Sequence, residues 1–212
     1  MTNRYDIPQS PEGTYQSDSN NQVLLNKLGI IDPQEMENVE LILLDQLTDV
    51  VIGSVTENQT ITASDLCEWH RRWLGNVYVW AGQYRSVNMG KGHFQFAVAH
   101  LIPKLMRILE NKFLSIYTPC NSMDDNQLVD ALAKVHIELI LIHPFREGNG
   151  RLSRLLANVM ALQAGQQMLD FSYLDTNKAE YFAAVQAGLD NAEPMKSIFR
   201  QVLQETQQNA DG

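Results

Sequence analysis

Between two apolar stretches of helical spacing lies His143-Pro144-Phe145-Arg146-Glu147-Gly148-Asn149-Gly150-Arg151, with Arg154 three residues further on. Pro144 disfavours helix for His143, and Gly148 and Gly150 disfavour it afterwards. The segment therefore reads as a loop that opens into the N-terminus of a second helix. Such a terminus offers unpaired backbone N–H groups and a positive dipole, and glycines let a ligand come close to the backbone. Arg151 and Arg154 lie three apart, on one helix face, and two guanidinium forks suit a polyphosphate. Glu147 can hold Mg2+, which binds through one or two carboxylates plus substrate phosphates. Asn149 can donate to a phosphate oxygen. His143 titrates closest to neutral pH and is the natural general base for a hydroxyl nucleophile. Taken singly, His143 reads as a satisfied buried histidine, Arg154 as a solvated helix residue and Gly-Asn-Gly as a turn. Their joint occurrence specifies phosphoryl or nucleotidyl transfer. A metal pair of His143 and Glu147 at helical spacing is disfavoured, because Pro144 and Gly148 break the helix it needs.

The elements that must position this loop are mostly helical. From Pro33 to Gly53, Met36, Val39, Leu43, Leu47 and Val50 recur at helical spacing. Ser64 and Asp65 can cap a helix from Leu66 that carries Trp69, Trp73 and Leu74 inward. Gly90-Lys91-Gly92 sits between two short apolar runs, Tyr84 to Met89 and His93 to Phe96, which read as a hairpin. Further helices are expected over Ala99 to Leu114, Asp124 to Ile142, Arg151 to Ala164 with Gly165 as its terminator, Lys178 to Leu189 and Pro194 to Leu203. The stretch through Asn21 and the tail after Leu203 read as loosely ordered. The expected fold class is mostly α: a helical bundle with one small β-hairpin.

Composition narrows the function. The chain has 212 residues with 44% hydrophobic and 19% charged, enough for a sizeable core and too apolar for a disordered chain. Sixteen Lys and Arg stand against 25 Asp and Glu, a net charge of −9. That balance argues against a basic face for nucleic acid but leaves room for a few cations around one nucleotide. The two cysteines, Cys67 and Cys120, have no metal-binding spacing and read as buried reduced thiols. The N-terminus lacks an apolar signal region, and no apolar run reaches the roughly 20 residues of a membrane span. The chain reads as cytoplasmic, without a membrane partner, and the Asn58-Gln59-Thr60 sequon carries little weight.

HPFREGNGR followed by Arg154 resembles the signature of the Fic family, H-P-F-x-[D/E]-G-N-G-R-x-x-R, with no departure at a fixed position. Upstream, Asp65 to Arg85 resembles that family's first core helix and its W-A-G-x-x-R turn. The resemblance spans about Asp65 to Leu203 and implies a division into an N-terminal extension (1–64), a Fic domain (65–203) and a polar tail (204–212). It implies a transferase that moves AMP from ATP to a hydroxyl on a target protein. His143 would deprotonate that hydroxyl, and Glu147 would coordinate Mg2+ on the ATP phosphates. Gly148, Asn149, Gly150 and Arg151 would form the anion nest, and Arg154 would hold the γ-phosphate. The hairpin would be a flap that registers the target chain through Met89, Gly90, Lys91, Gly92, His93 and Phe94. Phe145 would be a core anchor and Arg146 a solvated charge. Trp69, Trp73 and Trp80 read as core aromatics, and His70, His93, His100 and His136 as structural.

Members of the family are commonly held off by a helix bearing [S/T]-x-x-x-E-[G/N], whose glutamate pairs with the second arginine. Glu57-Asn58 ends such a string, but Gly53 stands where Ser or Thr is required. Thr176 and Glu180 have the spacing, but Tyr181 follows. The resemblance thus implies a separate small antitoxin bearing the inhibitory helix, with this chain as the toxin. Type II topoisomerases are the first targets to test. Rival readings are another Fic chemistry (phosphorylation, another nucleotide, or removal of AMP) and a non-catalytic helical interaction module.

Overall fold

The computed structural model describes residues 10–210. Nine helices among the described residues surround one core, and a single two-stranded hairpin lies at its edge. Helix α1 (Pro33–Ser54) starts at Asp32, whose side chain accepts from the Glu35 amide, with Pro33 in the first turn. Its buried stripe is Met36, Glu40, Leu47 and Val51, so Val51 faces the core and Val50 faces solvent. Helix α2 (Ala63–Leu74) is capped two residues earlier than Ser64 would allow. Thr62 and Asp65 form a reciprocal capping box, which satisfies more orphan donors than Ser64 alone.

The hairpin is shorter than the alternation suggests. Strands β1 (Gly90–Lys91) and β2 (Phe94–Gln95) pair antiparallel in the register Gly90 with Gln95 and Lys91 with Phe94. Residues 84–89 instead follow an irregular path, because Arg85 takes up backbone carbonyls that a strand ladder would use. After a 3₁₀ turn (Ala99–Leu101), helix α3 (Ile102–Leu109) widens into a π turn (Glu110–Leu114) and ends in the short α4 (Ser115–Tyr117).

Helix α5 (Asp125–Ile142) is the axis of the fold. Asp124 and Gln127 form its capping box, and its buried residues encircle it, including Leu128, Ala131, Val135, Leu139 and Ile142. A helix apolar all round must be surrounded; α5 packs against α3, α6 (Asn149–Gln163), α8 (Lys178–Ala187) and α9 (Glu193–Ala210). The short α7 (Ser172–Thr176) is an element the sequence pattern missed. Gly165 ends α6 region with φ 78°, as expected of a terminator.

Two segments are better ordered than their composition suggests. In residues 10–21, Tyr15 bridges to Leu24, and the Glu12 side chain is buried against Ser86. The earlier part of that stretch, residues 1–9, lies outside the described residues. Helix α9 continues past Leu203 to Ala210: Thr206 is buried, and Gln207 bonds Asp125 and Gln166. Among the described residues no helix is long and apolar enough to cross a membrane. Both thiols are free, and burial raises the pKa of each.

Candidate active site

The loop between α5 and α6 is built by its own side chains. His143 ends α5 in the left-handed region, φ 51°, a conformation that non-glycine residues rarely adopt and that turns the chain off the helix axis. Asn149 then ties the loop back on itself: its Oδ1 accepts from the Phe145 amide at 2.9 Å, and its Nδ2 donates to the Phe145 carbonyl at 2.7 Å. The Asn149 side chain is therefore a buried brace of the loop. What Asn149 can offer a ligand is its backbone N–H, at the first position of α6.

The two glycines play different parts. Gly148 sits at φ 82°, and a Cβ there would lie 2.6 Å from the Trp73 ring. It is needed for its own backbone and for the packing of α2 on the loop. Gly150 is exposed, and a Cβ there would meet nothing within 4 Å. The open approach to the helix N-terminus is therefore at Gly150. The amides of residues 149 to 151 form the start of the helix, where no carbonyl lies one turn back to receive them.

Residues far apart in sequence hold the loop from outside. Arg85, buried, donates to the carbonyls of His143 (2.6 Å), Ala97 (2.6 Å) and Ile142 (3.2 Å), and also to that of Val87. It pins the flap base and the loop entrance together. His70 accepts from the Gly82 amide through Nδ1 at 2.8 Å, so its Nε2 carries the proton and donates to the Glu147 carbonyl at 3.1 Å. Its ring stacks on Phe145 at 4.0 Å. Arg146, expected at the surface, is buried, and its Nε donates to the Glu12 carbonyl at 2.7 Å. The N-terminal segment covers it, which no local pattern reveals. Phe145, Trp69, Trp73 and Trp80 are buried as expected.

His143, Glu147, Gly148, Gly150 and Arg151 share one cavity of about 250 Å³, closed by Met89, Lys91 and Phe96 on the flap side and by Tyr181 and Phe182 of α8. His143 Nδ1 lies 3.3 Å from the Ile140 carbonyl. A carbonyl only accepts, so Nδ1 carries the proton and Nε2 keeps its lone pair. Phe96 stacks on the imidazole at 3.8 Å. Burial pushes His143 down to about 3, helped by the charges of Arg85 and Lys91 and opposed by the Ile140 carbonyl. The ring is neutral at physiological pH, and the sequence expectation of an imidazole titrating near neutrality is corrected: burial leaves Nε2 a free but weak proton acceptor. Of the flap residues named from sequence, Met89 is buried and lines the cavity, and Lys91 lines it with its ammonium 3.5 Å over the Phe182 ring. Gly92 and His93 form the exposed two-residue turn, and Phe94 packs edge-on against Phe96.

The two arginines diverge. Arg151 donates to Glu40 of α1 at 2.6 Å and lies over Trp73, whereas Arg154 is paired with Asp175 of α7 at 2.8 Å and does not line the cavity. Three residues apart they share a face, but each fork follows a different carboxylate. Glu147 Oε1 accepts from the Gly148 amide at 3.0 Å and lies 3.6 Å from Arg151. Among the described residues no three carboxylates, histidines or cysteines gather as a metal cluster. A single part-exposed carboxylate beside an anion hole fits a dication that shares its shell with phosphates and water.

The helical bundle with its small two-stranded hairpin has the fold of Fic domains of known structure. Residues 60–161 match the Fic/DOC family. It is 31% identical over 147 residues to the protein adenylyltransferase Fic of Nematostella vectensis, covering 68% of this chain and 33% of that one. It is 25% identical over 193 residues to the protein adenylyltransferase VbhT of Bartonella schoenbuchensis, covering 89% of this chain and 39% of that one. The chain thus spans little more than a third of these relatives' length. The N-terminal Fic domain of a VirB-translocated effector from Bartonella sp. AR 15-3 superposes with a TM-score of 0.76 at 20% identity, over 93% of each chain. BepC of Bartonella tribocorum, solved with AMPPNP bound, superposes with a TM-score of 0.71 at 23% identity, over 92% of this chain and 98% of that one.

Proposed function

We propose that the protein is an adenylyltransferase that moves AMP from ATP to a hydroxyl side chain of a target protein. The observation that carries this reading is the meeting, in one cavity, of a neutral His143, the open N-terminus of α6 and Arg151. The adenylyltransferase names of the relatives and the nucleotide analogue bound to BepC support it. His143 Nε2 takes the proton of the acceptor hydroxyl, whose oxygen attacks the α-phosphorus of ATP. The bond from that phosphorus to the α,β-bridging oxygen breaks, and pyrophosphate leaves. The amides of Asn149, Gly150 and Arg151 and the Arg151 guanidinium hold the phosphate oxygens as charge shifts outward. Arg154 reaches the γ-phosphate once it leaves Asp175. Glu147 would hold Mg2+, which when bound neutralises phosphate charge. The flap carries the target segment by strand addition along Gly90–Lys91.

A catalytic unit over 65–203 and an extension over 1–64, whose described residues brace it, is the domain division that goes with this reading. A cytoplasmic toxin restrained by a separate small antitoxin is its regulatory counterpart. In support, Arg154 is paired with an exposed aspartate, Asp175. The Glu57 segment lies at the far end of α6, where Gln163 bonds the carbonyls of Thr56 and Gln59. Glu180 is bonded to Tyr173.

The test is incubation with lysate and ATP labelled at the α- or the γ-phosphate, beside His143→Ala. His143-dependent α-label on a protein band is expected. Label from the γ-position alone would make the chain a kinase, and no His143-dependent label would remove the transferase reading. A purified type II topoisomerase is the first defined substrate to try. Co-expression with a neighbouring small reading frame bearing Ser-x-x-x-Glu should suppress labelling.

A further inference from the structure

Arg151 and Glu147 form a wall between two cavities. On one side is the space of about 250 Å³ that holds His143 and Gly150. On the other is a space of about 360 Å³ between residues 22–24, α1 and Tyr78. Glu40 lines the second cavity and not the first. It nevertheless makes the shortest contact to Arg151, Oε2 to Nη2 at 2.6 Å.

Glu40 is fixed at three points. Its Oε1 accepts from the Tyr78 hydroxyl at 2.6 Å, its Oε2 holds Arg151, and its backbone carbonyl accepts from Trp73 Nε1 at 2.8 Å. The Trp73 ring that this bond orients lies 4.7 Å from the Arg151 guanidinium. Burial first, and then the adjacent Glu40 carboxylate, push the Tyr78 phenol above its ordinary range, so it remains a donor. The Glu40 side chain is 7% exposed, against 57% for Asp175 beside Arg154. A buried carboxylate held this way resists displacement, because losing one partner strands an uncompensated charge.

We infer that Glu40 is a positioning residue for the nucleotide: from behind the cavity wall it fixes the Arg151 guanidinium in the orientation that meets the phosphates. The inference rests on the proposed reading of the first cavity as an ATP site. It extends that site to α1, which lies outside the segment matched to the family. Glu40 takes one side of the planar fork, and the remaining N–H groups stay available to phosphate oxygens. This arrangement orients the arginine and does not occupy the ligand's place.

The test measures binding of a non-hydrolysable ATP analogue with Mg2+ by calorimetry, and initial rates against ATP concentration. It uses the wild type, Glu40→Gln, Tyr78→Phe, Arg151→Ala and the Glu40→Gln/Arg151→Ala pair. Glu40→Gln is expected to weaken binding about tenfold and to raise KM for ATP with a smaller change in kcat. Tyr78→Phe is expected to act in the same direction more weakly; it keeps both charges and carries the test should Glu40→Gln unfold. The double variant should bind no more weakly than Arg151→Ala alone, since the effect of Glu40 passes through that arginine. Unchanged binding in folded Glu40→Gln and Tyr78→Phe would overturn the inference. Tighter binding would also overturn it and make Glu40 a competitor of the nucleotide. A wild type that binds no nucleotide would instead remove the proposed function itself, so the two failures are separable.

Discussion

At the scale of single residues, Gly148 and Gly150 make opposite demands although they are interchangeable in the sequence. Gly148→Ala meets both a positive φ and the Trp73 ring at 2.6 Å, so it should lower stability by about 1–3 kcal/mol as well as activity. Gly150→Ala has helical φ and open space, so its unfolding midpoint should be unchanged or higher while nucleotide binding falls. Thermal unfolding paired with ATP titration distinguishes them, and a destabilised Gly150→Ala would contradict the assignment. His143 allows a second separation. Phe96→Ala should let water reach the imidazole, moving its titration up from about 3 toward 6.5, as read from its ring proton by NMR. The residue types of the 143–148 loop and the start of α6 stood out in sequence because their spacing is local. The roles of Asn149, Arg146 and His70 did not, since each is decided by a partner distant in sequence or by burial: Phe145 folded back, Glu12 and Gly82.

Among elements, α7 and α1 each hold one of the two arginines, and with different strength. The Arg154–Asp175 pair is largely exposed, so Asp175→Asn should change stability by less than about 1 kcal/mol. If the proposed function holds, releasing the guanidinium should raise ATP affinity about twofold, measurable as KM. A large loss of stability would mean that α7 depends on this pair. Helices with clear periodicity, α5 and α6, fell where the apolar spacing placed them, and Gly165 ended α6 as expected. The misjudged elements have specific causes. The α2 cap moved to Thr62 because a reciprocal box outcompetes a lone serine. The α7 turn is five residues long, below the length at which a period can be read. Glu40 left a faint trace: a carboxylate four residues from Met36 and seven from Leu47, on the apolar stripe of α1.

For the molecule as a whole, buried histidines tie stability to pH. His70 is held down to about 4 and His136 to about 3, both chiefly by burial, against an ordinary value of 6.5. Below pH 6.5 the unfolded chain therefore binds more protons than the folded one, and stability falls as pH is lowered toward 4. Each such histidine contributes a loss of about 1.4 kcal/mol per pH unit across that window. Urea unfolding between about pH 7 and about pH 4.5 should show this slope, and a flat profile would contradict it. The helical class and the bundle were legible from spacing. The order of residues 10–21 was not, because its reason is a distant surface formed by Ser86 and Arg146.

The hairpin with two residues per strand has a further consequence. A target segment laid along so short an edge gains little from its side chains and is held mainly through its backbone. Strand registers shift in steps of two residues before a side chain faces the same way again. Under the proposed mechanism the flap would act as a ruler: it would select acceptors by their distance along an extended segment. Proteins modified by this enzyme would then share a spacing more than a sequence.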